Sequence, residues 1–423
     1  MFFERPEGGE HCILVHLDLD SERDQEDPVE FEELARSAGL EPVYFLKGSR
    51  KTPDSRSFVG KGKLEELGAL VRSEAASMVL FNHALSPSQE RNLEALLKCR
   101  VLDRTGLILE IFAQRARSYE GKLQVELAQL QHVVSRLKRG WTHLDRQKGG
   151  VNLRGAGETQ LEMDQRMIRQ RIKSINKSLV KVRAQREQGR RARKRAEMAS
   201  VSLVGYTNAG KSSLFNALTS AEIYAADQLF ATLDSTLRRI QLPNYGEAVL
   251  ADTVGFISHL PHKLVEAFRA TLEESSQATL LLHVIDASNE QRDYYVEQVE
   301  EVLEEIGADE VPCLQVFNKI DLLPDQQPRI ERDEAGRPSR VWISALKGTG
   351  LDLLVEAVSE CLGEDFVNRE LVLDPQQGRL RARLYERGVV QEEAVDDNGC
   401  WHLAIRMPRS DFDRLLQEER AAG

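Results

Sequence analysis
Seventeen residues in the second half of the chain, SLVGYTNAGKSSLFNAL, have the types and spacing of a phosphate site. Gly205 and Gly210 bracket Tyr206, Thr207, Asn208 and Ala209, and Lys211, Ser212 and Ser213 follow. The glycines let the loop wrap so that backbone N–H groups and the start of the next helix face phosphate oxygens. Lys211 can then reach the β- and γ-phosphates, and the Ser212 hydroxyl can ligate Mg2+. An apolar strand before the loop and a helix after it separate this match from chance spacing. Taken alone it specifies a nucleoside triphosphate, not a base.

The base is legible further on. Asn318, Lys319, Ile320 and Asp321 follow the apolar strand CLQVF. That puts Asp321 at the carboxyl end of a strand, where ligands bind in such sheets. A carboxylate there can accept from N1–H and the 2-amino group of guanine, a donor pair that adenine lacks. Asn318 can support the opposite edge of the ring, and the stem of Lys319 can lie over its face. After the strand RVWI, Ser344, Ala345 and Leu346 can offer backbone N–H to the guanine carbonyl. With the phosphate loop at this spacing, GTP is favoured over ATP.

Two segments between these motifs should respond to the γ-phosphate. In ADTVGF, Asp252 ends a strand and can hold Mg2+ through water. Thr253 and Val254 follow, and the Gly255 N–H can bond the γ-phosphate. In LFATLDS, the run Phe230, Ala231, Thr232, Leu233 and Asp234 contains Thr232, whose hydroxyl and N–H can close over Mg2+. Both contacts exist only while the γ-phosphate does, so hydrolysis should release both loops. Lys211, Thr232 and Gly255 are therefore the candidate catalytic set, and Ser212, Thr232 and, through water, Asp252 the candidate metal set. Position 256 holds Phe256 where many GTPases place a glutamine that orients water. A phenyl ring does neither, so intrinsic hydrolysis should be slow. A group supplied from elsewhere, worth roughly 10³ to 10⁵ in rate, should accelerate it.

The elements that hold these residues follow from periodicity. With 423 residues the chain has room for about three cores. Residues 1–108 alternate apolar strands (CILVHLDL, PVYFL, SMVLFN, RVLD) with helical patterns, as in a small α/β domain with a mainly parallel sheet. Within it SFVGKGKLEEL lacks phosphate-loop spacing and reads as a loop entering a helix. From about Leu107 the pattern changes to heptads: Leu123, Leu127, Leu130, Val134 and Leu137, then Ile168, Ile172, Ile175, Leu179 and Val182. Two such seams predict an antiparallel helical hairpin over 109–198. The run GGVNLRGAGETQLEMDQR lies near its tip, and without a preceding strand or a lysine it is not a phosphate loop. Residues 199–365 alternate strand and helix as one α/β nucleotide domain with a mainly parallel sheet, and 366–423 form a small appended α/β domain. The expected fold class is thus multidomain α/β.

Charge separates these parts. Residues 111–200 hold 22 Lys and Arg against 8 Asp and Glu, a local +14 in a chain of net charge −11. That segment is built to meet a polyanion. The charge run GRRARKRAEMA at the end of the second helix is either a solvated face or a contact surface. No apolar run approaches the roughly 20 residues of a spanning helix, and the N-terminus does not read as a secretory signal. The five cysteines are scattered without metal-ligand or redox spacing. These features lead to the expectation of a soluble, cytoplasmic, monomeric protein.

The strings LSPSQERNLE, DRTGLILEIFAQRARSYEGKLQVELAQLQH, GWTHLDRQKGG, LRGAGETQLEMDQR, GYTNAGKSSLFNAL, LFATLD and DTVGFI closely resemble the HflX family of translational GTPases, over nearly the whole chain. The resemblance implies an N-terminal α/β domain, a helical hairpin, a G domain, and binding to the large ribosomal subunit. It also implies release or splitting of stalled or idle ribosomes, notably under stress. Two positions depart from the family, which often has proline at Ala156 and at Ser235. Both changes should loosen a loop without removing a chemical group.

With ribosomal RNA as the polyanion, Arg146, Lys148 and Arg154 at the hairpin tip are candidate RNA contacts. Trp141 either stacks on an unpaired base or packs the end of the hairpin. Three functions share this sequence: a GTPase that splits or rescues ribosomes, a ribosome-assembly GTPase, and a nucleotide-gated RNA-binding module whose hydrolysis is incidental.

Overall fold
The computed structural model describes residues 9–19, 27–140, 160–195, 198–219, 229–230, 232–243, 245–257, 274–363, 366–374, 377–386, 388–396, 399–408 and 412. Of the residues singled out above, Trp141, Arg146, Lys148, Arg154, Ala156 and Ala231 lie outside these.

The first sheet contains β1 (His11–Leu19), β2 (Glu41–Arg50), β3 (Met78–Phe81) and β4 (Arg100–Asp103) in the order β2-β1-β3-β4. All three pairings are parallel. β1 and β3 are buried along most of their length, as strands covered on both faces must be. The covering helices are α1 (Pro28–Ser37), α2 (Lys61–Ser73), α3 (Pro87–Leu97) and α4 (Arg104–Arg115). Their starts are locally encoded. Asp27 accepts the Val29 N–H with Pro28 beside it, and Ser86 and Gln89 form a reciprocal capping box around Pro87.

α4 runs across the boundary expected at 108/109. Its Leu107, Ile108, Ile111 and Phe112 are buried with Phe31 and Leu34 of α1, so it belongs to the packing of the first sheet. Helix α5 (Tyr119–Gly140) begins only after the extended residue Ala116, and the chain breaks at 116–118 instead. α6 (Gln160–Arg195) returns beside α5. The predicted seams meet, with Leu123, Leu127 and Leu130 against Ile175 and Leu179. Glu126 pairs with Arg171, while the earlier Glu120 pairs with the later Arg186, which fixes the antiparallel direction.

The second sheet has seven strands in the order β10-β11-β9-β8-β5-β7-β6. These are β5 (Ala199–Val204), β6 (Thr236–Leu242), β7 (Gly246–Asp252), β8 (Leu280–Asp286), β9 (Cys313–Asn318), β10 (Arg329–Arg332) and β11 (Pro338–Trp342). The interior pairings are parallel, and the edge strands β6 and β10 pair antiparallel. β10 has no counterpart in the sequence reading. Its short, charged RIER lacks an apolar alternation, and its pairing with β11 comes from the turn between them. Helices α7 (Lys211–Thr219), α8 (Arg292–Glu305) and α9 (Leu351–Gly363) flank this sheet. A third sheet, β12 (Phe366–Leu373), β13 (Val390–Val395) and β14 (Trp401–Pro408), is antiparallel in the order β12-β14-β13 and carries α10 (Gly378–Glu386). The multidomain α/β class read from the sequence is the class of the fold.

One apolar cluster crosses between the first and second sheets. Phe31, Leu34, Ile108 and Phe112 from the N-terminal helices share it with Leu229, Phe230, Leu233, Val254, Phe256 and Ile257. Both segments expected to respond to the γ-phosphate are thus rooted in a core that only partly belongs to the nucleotide-site sheet. Among the described residues no helix is long and apolar enough to cross a membrane.

Candidate nucleotide site
β5 is buried and delivers the chain at Val204 into the loop 205–210, which enters α7 at Lys211. The loop needs its two glycines. Gly205 has φ +144° and a Cβ there would stand 2.2 Å from the Val284 carbonyl oxygen; Gly210 has φ +93° and its Cβ would meet Asn318 Nδ2 at 2.2 Å. Lys211 is buried at the mouth of the loop, where its ammonium donates to the carbonyls of Gly205 (2.9 Å) and Tyr206 (2.7 Å). Burial pushes this ammonium down to about 8, against the pull of Asp252.

Three side chains from separate elements converge beside it. Ser212 Oγ and Thr232 Oγ1 each donate to Asp252 Oδ2 at 2.9 Å and lie 2.7 Å from each other. Asp252 is fully buried at the end of β7, and its other oxygen, Oδ1, has no hydrogen-bond partner. Burial raises its pKa, opposed by Lys211 and the two hydroxyls. An orphaned carboxylate oxygen beside two hydroxyls is a hard-oxygen set with spare capacity, which fits Mg2+ held jointly with substrate phosphates. Among the described residues no cluster of three His, Cys, Asp or Glu offers a separate protein cage.

The segment after Asp252 is zipped to the phosphate loop. Thr207 N–H donates to the Phe256 carbonyl at 2.7 Å, and Phe256 N–H donates to the Gly205 carbonyl at 3.1 Å. Gly255 sits so close to the lysine that a Cβ there would be 3.0 Å from Lys211 Nζ. The Phe256 ring itself turns into the shared core and is 4% exposed. Thr253 Oγ1 donates to the Leu203 carbonyl and Val254 is buried, so these two residues brace the segment. Ser213 is half-buried on α7.

At the far end Asn318 acts as a strut. Its Nδ2 donates to the Ala209 carbonyl at 2.9 Å and its Oδ1 accepts the Ala345 N–H at 2.9 Å. It therefore ties the phosphate loop to the loop 344–346. Asp321 accepts from Ser344 Oγ at 2.6 Å. Ile320 is buried, while Leu346 is 84% exposed. Lys319 adopts φ +66°, and its ammonium pairs with Asp286 at 2.8 Å, which holds its stem across the strand ends.

Some predicted residues face elsewhere. Tyr206 stacks on Tyr295 of α8, with ring centroids 4.1 Å apart, and its hydroxyl donates to Glu30 of α1. Phe230 and Leu233 are core residues, and the Asp234 carboxylate reaches the start of α5. Sequence reading missed Glu30. It is buried, pairs with Arg104 at 2.5 Å, and lines a cavity of about 240 Å³ against Tyr206, Thr207 and Asn208. No local pattern marks it, because its partners lie on other elements. His283, in the same cavity wall, is pushed down to about 4 by burial and by the Lys211 charge, and is neutral near pH 7.

Four family models match in series: GTP-binding GTPase N-terminal over 25–113, GTP-binding GTPase middle region over 115–193, 50S ribosome-binding GTPase over 200–319, and HflX C-terminal domain over 330–421. The last begins within the seven-stranded sheet. GTPase HflX of Escherichia coli is 57% identical over 99% of this chain and 98% of its own length. GTPase HflX of Caldanaerobacter subterraneus is 45% identical over 92% of this chain and 89% of its own. Among solved structures, the SsGBP and GDP complex is 27% identical with a TM-score of 0.49, covering 84% of this chain and 99% of that one.

Proposed function
The chain belongs to the HflX family of GTPases, ribosome-binding enzymes that hydrolyse GTP, and from that premise we propose that it separates stalled or idle ribosomes. In this reading the GTP state holds it on the large subunit and hydrolysis lets it go. The observation that carries the nucleotide half is the convergence of Ser212 and Thr232 on buried Asp252 beside Lys211. Ser212, Thr232 and Asp252 are the residues that would hold Mg2+, which would supply positive charge beside the substrate phosphates. Lys211 turns from the loop carbonyls to the phosphates, and the Gly255 N–H donates to the γ-phosphate. Asp321 reads guanine, with the Leu346 N–H offered to its carbonyl and Asn318 holding that loop to the phosphate loop through the Ala345 N–H.

The ribosomal half rests on the basic hairpin. In 111–200 the local charge is +14 while the whole chain is −11, which suits a phosphate-rich partner. Arg146, Lys148, Arg154 and Trp141 are the proposed tip contacts with ribosomal RNA. The deciding experiment incubates intact ribosomes with the protein and GTP, a non-hydrolysable analogue or GDP, followed by sedimentation. Separation of subunits with GTP and analogue but not with GDP supports the reading. Retention only on precursor particles indicates assembly, and nucleotide-independent binding indicates an RNA-binding module.

A further inference from the structure
Three contacts tie residues 229–234 to elements outside the seven-stranded sheet. The Leu229 N–H donates to Ser37 Oγ at the end of α1 at 3.0 Å. The Phe230 ring meets Phe112 of α4 edge-on, with centroids 4.6 Å apart. Asp234 accepts three hydrogen bonds at the root of the hairpin, from Arg117 N–H (2.9 Å), Ser118 N–H (2.7 Å) and Ser118 Oγ (2.5 Å). Ser118 Oγ also accepts the Gly121 N–H at 2.8 Å, which caps the first turn of α5. A Cβ at position 121 would stand 2.1 Å from Asp234 Oδ1, so the glycine there leaves room for the clasped carboxylate.

These contacts hold Phe230 against its own backbone preference. Phe230 sits at φ +56°, in the left-handed region that a bulky residue enters at a cost. Only Leu233 separates Thr232 from Asp234, so their Cα atoms lie at most about 7 Å apart. With Asp234 clasped, Thr232 can lie no farther from it than this tether allows, and here it lies against Asp252.

We propose that Asp234, clasped by Ser118, is a positioning residue for Thr232, and that this one contact couples the GTP state of the site to the placement of the helical hairpin. The proposal rests on the reading of Thr232 as a hydroxyl that closes on the metal and γ-phosphate side. A carboxylate that accepts several short hydrogen bonds is a strong anchor. Because coupling between two sites is reciprocal, a hairpin fixed on RNA favours the closed segment as much as the closed segment favours the fixed hairpin.

The test measures affinity of the full-length protein for a non-hydrolysable GTP analogue and for GDP, both in Mg2+. Ser118→Ala, which removes one charge-assisted hydrogen bond, should lower the preference for the analogue by roughly tenfold, and Asp234→Ala, which removes all three, by at least as much, with GDP affinity unchanged in both. Ser118→Thr, which keeps the hydroxyl, should retain the preference, and Gly121→Ala should lose it by displacing the carboxylate. The double variant should lose no more than Asp234→Ala alone, since that variant already removes the Ser118 Oγ bond. Thr232→Ala separates the two readings. If it lowers the preference while Ser118→Ala and Asp234→Ala leave it intact, the clasp is overturned and the role of Thr232 stands. If Thr232→Ala itself has no effect, the role of Thr232 fails and the clasp with it. Additive losses in the double variant also overturn the proposal. Should Asp234→Ala fail to fold, the Ser118→Ala and Ser118→Thr pair carries the test.

Discussion

Tyr206 of the phosphate loop donates its hydroxyl to Glu30 of α1, a buried residue 176 positions earlier that also grips Arg104. Arg104 in turn donates to Asn82 at the end of β3 at 3.0 Å. A polar chain thus runs from the nucleotide loop into the first sheet. Its members bond one another, so losing one takes a partner from the next in a buried setting.

Tyr206→Phe removes one bond to a buried carboxylate and should lower stability by about 1–3 kcal/mol. Glu30→Ala leaves the Arg104 charge without its buried partner and should lower it by about 3–5 kcal/mol. Urea unfolding followed by tyrosine-independent circular dichroism gives both values. Equal stability of Glu30→Ala and the parent would remove this network from any account of how the first sheet holds the site.

Ser212→Ala and Asp252→Asn each take one oxygen function from the proposed metal set. The Mg2+ concentration that half-saturates GTP turnover should rise about 10- to 100-fold, by analogy with the loss of an orienting metal partner. Titration of activity against Mg2+ at saturating GTP reads this directly. A shift in GTP affinity measured without Mg2+, and none in the Mg2+ titration, would assign both residues to folding.

Asp321→Asn exchanges an acceptor for an amide. Affinity for GTP should fall by about 10²-fold or more, because two donors of guanine lose a charged partner. Xanthosine triphosphate, which presents a carbonyl in place of the 2-amino group, should recover part of the loss. Competition binding with the two nucleotides tests this, and equal weakening toward both contradicts the assignment.

Two buried groups set opposite pH limits. Lys211 is held down at about 8, so above that pH it is neutral in the empty site, and triphosphate affinity should fall as pH rises through 8. For stability the sign runs the other way. Between about 8 and the ordinary lysine value of 10.5 the unfolded chain binds the extra proton, so this group makes the empty protein more stable as pH rises there. Asp252 is raised, so Mg2+-dependent binding should weaken on acidification sooner than an ordinary carboxylate would allow. Calorimetry near pH 8 in buffers of different ionisation enthalpy should detect proton uptake on GTP binding, abolished in Lys211→Arg. Absence of uptake in the parent refutes the depressed lysine.

Neutralising Arg146, Lys148 and Arg154 together should weaken ribosome binding and reduce the salt slope by about 0.7–0.9 per lost phosphate contact, while GTP affinity stays unchanged. Pelleting at several salt concentrations measures the slope. An unaltered slope would move the RNA contacts away from the tip, toward residues such as Lys173 and Lys177 on the exposed side of α6.

Legibility tracked sequence separation. Gly205 to Ser212 and the seams Leu123–Leu127–Leu130 and Ile175–Leu179 read directly from the chain, because turn chemistry and helical period are local properties. The identity of the polar partners did not. Asn318 reads from its motif as a group for the base, and nothing in the motif shows that its amide also bonds Ala209 and Ala345. The helix start at Arg104 was hidden because the apolar residues of α4 continue smoothly toward the heptads of α5. Only the packing of Phe112 and Ile108 against α1 assigns them to the first sheet.

The sequence by itself determined the fold class, the nucleotide, the family and the basic arm. Each depends on residue types at short, fixed spacing or on summed charge. Tertiary structure alone decided that Asp234 meets Ser118 across 116 residues and Tyr206 meets Glu30 across 176. It also decided that Phe230 and Phe256 anchor the moving segments in a core shared with the N-terminal helices. A carboxylate and a hydroxyl carry no record of their partner's position in the chain. Their pairing follows from how the sheets and helices pack, and here that packing joins the phosphate loop to the first sheet and residues 229–234 to the root of the hairpin.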